Sequence, residues 1–374
     1  MSEQKIGSWE AISLITIVIV NHIILDLPKT IIQTTSTSCI LNVIFISIVM
    51  LGIIYLVCKL FHNFPGLDIL DISKFLGGKW LKVTMSILFL LYILFTISTL
   101  LRSFAEGLKI IFFPRTPIAI FMLLFLIAIV ITNKLGFTSI ARSNIFFIPL
   151  VLLNLVFIFI ANWDNFVFER IFPILGYGTS ATFFSGLSNL FSFGGITYLY
   201  LIPPYLKSEK NFKKVAFISI GTSAFCLLLS VATLIFLSPP VIITQQIFPT
   251  YFASQFIEFG RFFQRVDALF LLIWLFSIIS YLSISFHFIT DIFRKLTNLK
   301  TSKWCISVFA MFSFGIALLP QNMKELSFLQ DTVYKYVVLI LIFIICLSVL
   351  VFANIKHLRI QKKKGVVIKN ENIL

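Results

Sequence analysis

A few polar and glycine residues stand out because the runs around them are almost wholly apolar. Asn21-His22 interrupts the first such run, with Asp26 and Pro28 just beyond. Gly194-Gly195 interrupts a later one, between Phe193 and Ile196, with Pro203-Pro204 following. Arg102 and Glu106 lie four residues apart in a third, so on a helix they share a face and can pair. Trp274, Ser277 and Tyr281 are spaced to fall on one helix face in a fourth, with Asp267 near its start. These groups suit hydrogen bonding, ion pairing and small-molecule recognition rather than bond making. The chain carries no phosphate-binding glycine loop, no metal-ligand spacing and no convincing nucleophile–base set, so it reads as a non-enzyme that needs no cofactor.

The elements that must position these groups follow from composition. Mean hydropathy is +1.02, 59% of the residues are apolar and only 12% are charged. A soluble chain of 374 residues cannot hide that much apolar surface from water. Apolar runs of roughly 18 to 25 residues match the length that crosses a bilayer as helix, and a helix satisfies its own backbone there. A β-barrel would show short alternating segments instead. About ten spans are expected, at 9–31, 39–61, 82–111, 117–134, 139–161, 183–206, 213–238, 266–293, 303–320 and 335–356. They are numbered 1 to 10 here. No soluble domain fits between them, so residues 1–374 form one membrane domain, with a basic tail at 357–374.

Charge orients the bundle. Of the 30 Lys and Arg residues, 21 fall at one set of alternate connections and in the tail, eight at the other set, and Arg102 lies within a span. Positive charge stays on the cytoplasmic face, so both termini are expected inside. The net charge of +15 is therefore topological, with no nucleic acid implied, although the tail suits anionic lipid heads. The five cysteines form no CxxC pair and read as small apolar side chains. Met1 leads into a full-length first span, with no cleavable signal peptide expected.

Two connections are long enough to hold structure. Residues 67–76 read as a short amphipathic helix ended by Gly77-Gly78, and Thr250 to Phe259 as a short helix on the opposite face, capped by Gly260. Each follows the second helix of a five-helix half. An odd count inverts the second half, giving repeats over about 9–161 and 183–356 with broken first helices, an architecture of transporters. Breaks at matching positions point to a mid-membrane site. There a zwitterion's carboxylate faces half-helix N-termini and its ammonium faces free carbonyls. Asn21, His22, Gly194 and Gly195 would border it, and Phe193 and Ile196 would touch the ligand's side chain. The face of Trp274, Ser277 and Tyr281 reads as packing on a neighbouring helix, or as a flank of the site in the fold that the family resemblance given below implies. The competing reading is that Gly and Pro only permit close helix packing. Arg102 and Glu106 have two readings as well. At 1.5 Å per residue Arg102 lies roughly 30 Å beyond Lys82, so the pair is either a gating or coupling element or a plain ion pair at the membrane boundary.

Several segments also resemble the spore germination permeases, the polytopic B-type subunits of nutrient germinant receptors in endospore-forming bacteria. That family belongs to the amino acid–polyamine–organocation transporter superfamily. The carriers are Ile24-Leu25-Asp26-Leu27-Pro28, the segment 64–78, Phe112-Phe113-Pro114-Arg115-Thr116-Pro117, Pro173-Ile174-Leu175-Gly176-Tyr177-Gly178 and Phe259-Gly260-Arg261-Phe262-Phe263-Gln264-Arg265-Val266-Asp267 leading to Trp274. The last two are the most specific. Relatives often carry a glycine in the span 1 break, where this chain has Asn21-His22. The resemblance implies an all-α, ten-helix inverted-repeat fold of the amino acid permease type and the inner spore membrane. It further implies A-type and C-type receptor subunits as partners, and germination triggered by a bound nutrient. A proton-coupled amino acid transporter is the alternative.

Overall fold

The structure is a computed structural model that describes residues 5–24, 27–257, 266–297 and 303–371. Asp26 and the 258–265 segment, including Gly260, Arg261 and Arg265, lie outside the described residues. Among the described residues the regular elements are all helices, apart from one isolated bridge between Ile6 and Leu206. Seven helical stretches are long and apolar enough to cross a membrane, and the shorter apolar helices Ser8–Ile23 and Cys305–Ala317 fall in spans 1 and 9. The chain is a multi-pass membrane protein.

Spans 2, 4, 5, 7 and 8 appear as Cys39–Phe61, Ile118–Leu135, Phe137–Ala161, Phe212–Leu237 and Val266–Thr297. Span 3 belongs to a longer helix, Ile69–Ile111, that contains the short amphipathic helix as its first two turns. The two parts meet at Gly77 and Gly78, where the backbone leaves helical geometry and Gly78 takes φ +72°, a left-handed value that favours glycine. The opposite long connection holds two short helices, Pro240–Gln245 and Pro249–Ser254, in place of the single helix expected from Thr250 to Phe259. Prolines at both starts supply the helix-compatible φ and lose no needed donor.

Spans 1 and 6 form the middle of the bundle. Every residue in 11–21 and in 189–203 is buried. A helix that is apolar all round belongs inside, and span 1 packs on spans 5, 7 and 8. Span 4, by contrast, exposes Ile120, Leu124, Ile127 and Ile131 along one side. Span 1 is helical over Ser8–Ile24 and again over Leu27–Thr35. The backbone therefore stays helical through Asn21-His22, in place of the interruption expected there, and residues 25–26 lie outside the described residues. Span 6 is a series of short pieces: a π turn at Ser180–Phe184, 3-10 helix over Ser185–Phe193, one α turn at Ile196–Leu199 and a 3-10 turn at Pro203–Tyr205.

Irregular backbone at membrane depth persists only where protein satisfies it. On one side of span 6, Asn42 donates to the Thr182 carbonyl at 2.7 Å, and Asn189 donates to Asn42 and Thr34 at 2.9 Å each. At the basic end, the Ile6 amide donates to the Tyr205 carbonyl at 2.8 Å, the Lys207 amide to Ile6 at 3.0 Å, and the Ile69 amide to Tyr200 at 3.0 Å. Span 10 is irregular as well, with π turns at Leu329–Tyr334 and Ile340–Cys346 inside a run that starts at Met323 and ends at Glu371.

Candidate functional site

Spans 1 and 6 meet spans 8 and 10 around His22. Its Nε2 lies 3.0 Å from the hydroxyl of Tyr281 and 3.0 Å from that of Tyr334. Tyr334 stacks on the imidazole with centroids 5.0 Å apart, while Tyr281 meets it edge-on at 5.4 Å. One turn along, Tyr92 of span 3 stacks on Tyr334 at 6.2 Å and accepts a hydrogen bond from Thr197 of span 6 at 3.2 Å. Tyr198 joins span 8 through Ser285, 2.6 Å away. Five spans thus converge on one cluster of hydroxyls and an imidazole. Which hydroxyl donates to His22 depends on the tautomer, because a neutral ring offers one donor and one acceptor.

Asn21 sits inside the helix and still finds polar partners. Its amide nitrogen donates to the Ile17 carbonyl at 2.8 Å, to Ser277 Oγ at 2.8 Å and to the Ser277 carbonyl at 3.2 Å. Such bonds pin span 1 to span 8. Ser277 and Tyr281 therefore meet Asn21 and His22, as their shared helix face requires.

Trp274 does not join them. It lies toward the other end of the same face, against Phe104 at 5.0 Å, Phe248 at 5.7 Å and Phe270 at 6.2 Å. Phe248 comes from the connection holding the short proline-started helices. Gly107 of span 3 completes this aromatic layer, since a Cβ there would come within 3.0 Å of Phe248.

Gly194 and Gly195 are close-packing positions. A Cβ on Gly194 would lie 2.7 Å from the Tyr334 hydroxyl. One on Gly195 would lie 2.6 Å from Ile19 Cγ1 and 3.0 Å from the Ile19 backbone nitrogen. Span 6 thus reaches the Tyr334 hydroxyl and the span 1 backbone only because these side chains are missing. Phe193 and Ile196 are buried, and the small cavity beside His22 is lined by other residues.

That cavity measures about 30 Å³, above the roughly 10–15 Å³ of such space that one water needs. Its walls include His22, Thr30, Phe191, Gln330, Asp331 and Tyr334. Thr30 donates to the Asp331 carboxylate at 3.0 Å, and Ser103 to the Gln330 side-chain oxygen at 2.9 Å. The space is shut to anything of amino acid size. Tyr92, Phe191, Thr197, Gln330, Asp331 and Tyr334 also belong to this cluster and its cavity, and reading the sequence did not single them out.

Arg102 and Glu106 do pair, at 2.9 Å, with side chains only 9% and 12% exposed. Arg102 also reaches the Ala317 carbonyl of span 9 at 3.5 Å. A third polar group lies at the basic end. Lys295 bridges Asp68 at 2.7 Å and Asp291 at 3.0 Å, and Arg294 meets Asp291 at 2.6 Å. Asp68 also caps the amphipathic helix by accepting from the Asp71 amide at 2.8 Å. Among the described residues no cluster of three or more His, Cys, Asp or Glu is arranged to hold a metal.

A bundle of this kind, with an irregular span 6 and a polar span 1 buried among continuous helices, has a transporter-like architecture. Residues 5–326 match the family model described as spore germination protein, and the chain belongs to that family. Spore germination protein B2 of Bacillus subtilis (strain 168) is 23% identical over 348 residues, covering 91% of this chain and 93% of the relative. Spore germination protein GerQB of Bacillus cereus is 24% identical over 316 residues, covering 81% and 86%. Among solved structures, a Na+-coupled sialic acid symporter in a substrate-bound outward-open state aligns with a TM-score of 0.65 at 15% identity, covering 91% of this chain and 80% of the symporter. MhsT in complex with L-phenylalanine aligns with a TM-score of 0.65 at 12% identity, covering 91% and 90%. The fold is that of amino acid permease-like transporters, and the protein is not an enzyme.

Proposed function

We propose that this protein is the membrane subunit of a spore nutrient-germinant receptor. It binds a small nutrient, an amino acid as first choice, between spans 1, 6, 8 and 10, and binding triggers germination. The observation that carries the reading is His22, held between Tyr281 and Tyr334 where spans 1, 8 and 10 meet. Family membership and the permease-like fold support it. The cavity of about 30 Å³ makes this a closed form. A nutrient enters by parting span 10 from span 1, breaking the His22–Tyr334 bond, and by occupying the space that Tyr334 and Phe191 now fill. A ligand shifts such an equilibrium by its differential affinity for the two forms.

In this reading the membrane is the inner spore membrane, both termini are cytoplasmic, and A-type and C-type subunits read the change of form. The repeats over about 9–161 and 183–356 rock against each other, with Arg102 and Glu106 setting the closure of spans 3 and 9. The test is nutrient-induced germination in spores whose own copy is replaced by His22→Gln or Tyr334→Phe. Both variants should reach wild-type levels in the membrane and respond only at higher nutrient concentration. An unchanged dose–response in both would remove this cluster from the site.

A proton-coupled amino acid transporter is the second reading. The observation that favours it is His22 between two tyrosine hydroxyls, since an imidazole there can pass a proton. Solute uptake into vesicles that stops when the proton gradient is collapsed would select it.

A further inference from the structure

A cavity of about 710 Å³ opens at the basic end of the bundle, between the end of span 2, the end of span 6 and the start of span 7. It is far larger than the space beside His22 and lies apart from it. Three lysines, Lys59, Lys210 and Lys213, line it together with His62. Glu209 is the one acidic side chain in the lining. Its carboxylate is seated against Gly66, where a Cβ would come within 2.7 Å of Oε1. Gly66 takes φ +68°, so the loop makes room for that carboxylate with the residue that costs least there. Three cations against one anion leave the cavity net positive.

Its deeper wall is aromatic. Tyr55 is 52% exposed on the outer surface of span 2, and Phe61 and Phe212 pack together behind it with centroids 5.0 Å apart. Lys213 links rim to wall: its Nζ stands 5.9 Å from the ring centroids of both Tyr55 and Phe217. Its ammonium thus stands over two rings, a cation–π arrangement that sets positive charge directly against an aromatic surface. The cavity therefore offers positive charge beside an apolar, aromatic surface. A soluble anion would use only the first of these.

We propose that this cavity is a binding site for an anionic phospholipid. The phosphate diester of the headgroup sits among Lys59, Lys210 and Lys213, and the upper part of an acyl chain lies along Tyr55 and Phe217. Basic pockets between membrane helices bind acidic headgroups in this way. The lipid bridges the ends of spans 2, 6 and 7, so it ties an interrupted helix to two continuous ones.

Native mass spectrometry of the full-length purified protein tests this, with phosphatidylglycerol or phosphatidylcholine added to the detergent. The wild type should hold phosphatidylglycerol through mild delipidation and lose phosphatidylcholine. The double variant Lys59→Gln/Lys213→Gln should retain about tenfold less phosphatidylglycerol, while Lys134→Gln, which removes a charge from the end of span 4, should retain as much as wild type. All three lysines are exposed, so neither change threatens the fold. Lys210→Glu gives a second variant with the same expected loss. Glycerol 3-phosphate at millimolar concentration should not displace the lipid. Equal retention of both lipids, or undiminished retention in both cavity variants, would overturn the proposal. Full displacement by glycerol 3-phosphate would also overturn it, because the site would then take a soluble phosphate.

Discussion

The Nε2 of His22 and the hydroxyl of Tyr334 lie 3.0 Å apart, joining span 1 to a π turn of span 10. This bond closes the space where a small molecule would sit. Tyr334→Phe removes the hydroxyl and keeps the ring. An interhelical bond of this type contributes about 1 kcal/mol in a membrane, so thermal unfolding of the purified protein should shift only slightly. In spores, losing a nutrient-contacting hydroxyl raises the half-maximal nutrient concentration, whereas losing only a closing latch lowers it. The account predicts a rise, because the cluster also lines the nutrient site. Germination dose–response curves of Tyr334→Phe and Tyr281→Phe check it.

Gly195 packs against the backbone of span 1, so side chains there are excluded. Gly195→Ala forces a contact with the Ile19 nitrogen, which cannot move without shifting the helix. Overpacking of this kind costs roughly 1–3 kcal/mol. Gly195→Trp should fail to accumulate in the membrane, which makes it a poor probe of nutrient binding. Gly221→Ala in span 7, where a Cβ meets nothing within 4 Å, should leave both protein level and thermal stability unchanged. Immunoblots of membrane fractions and thermal unfolding separate the two positions.

Much of this arrangement was legible in the sequence, for identifiable reasons. Hydropathy located the spans because lipid demands unbroken apolar runs. Gly77-Gly78 ended the amphipathic helix because Gly78 needs a left-handed φ. Asn21-His22 looked like a break because they are two polar side chains in an apolar run, yet the helix runs through them. Asn21 is instead accommodated inside the helix by bonding Ile17 and Ser277. Trp274 was grouped with Ser277 and Tyr281 because periodicity reports the face of a helix and not the depth. Tyr334 and Asp331 were missed because span 10 was begun at residue 335. The helical run starts at Met323 and passes through a π turn, which has no signature in residue types. Tyr92 and Thr197 meet only through tertiary packing.

Arg102 and Glu106 lie nearly buried beside span 9. Removing one partner strands the other, so Glu106→Gln and Arg102→Gln should each destabilise the protein by up to roughly 3 kcal/mol. Replacing both with Met should recover most of that loss. If the pair sets the closure of spans 3 and 9, the double variant folds but germinates with an altered nutrient threshold. Thermal unfolding of the four proteins gives the cycle, and germination assays give the readout that packing alone would not move.

Lys356 of span 10 donates to the carbonyls of Phe75 at 2.7 Å and Leu76 at 2.9 Å, the last carbonyls before Gly77. A cation at a helix C-terminus satisfies free carbonyls and opposes the dipole. It also ties span 10 to the amphipathic helix, where Phe64 packs on Phe75 at 5.6 Å and on His357 at 5.5 Å. Lys356→Met should speed amide exchange over 69–76 and leave exchange in span 4 unchanged. Hydrogen–deuterium exchange of the protein in lipid nanodiscs measures both segments at once.

The central claim is that a nutrient binds beside His22. The most direct measurement is the thermal stability of the purified full-length protein against a panel of amino acids, sugars and nucleosides, run in parallel with His22→Gln and Tyr334→Phe. A ligand that binds only the folded form raises the midpoint by mass action. The account predicts that at least one nutrient raises the wild-type midpoint in a concentration-dependent way, and that both variants need higher concentrations for the same rise. A stabilising nutrient that acts equally on all three proteins, or a panel that moves none of them, would contradict it.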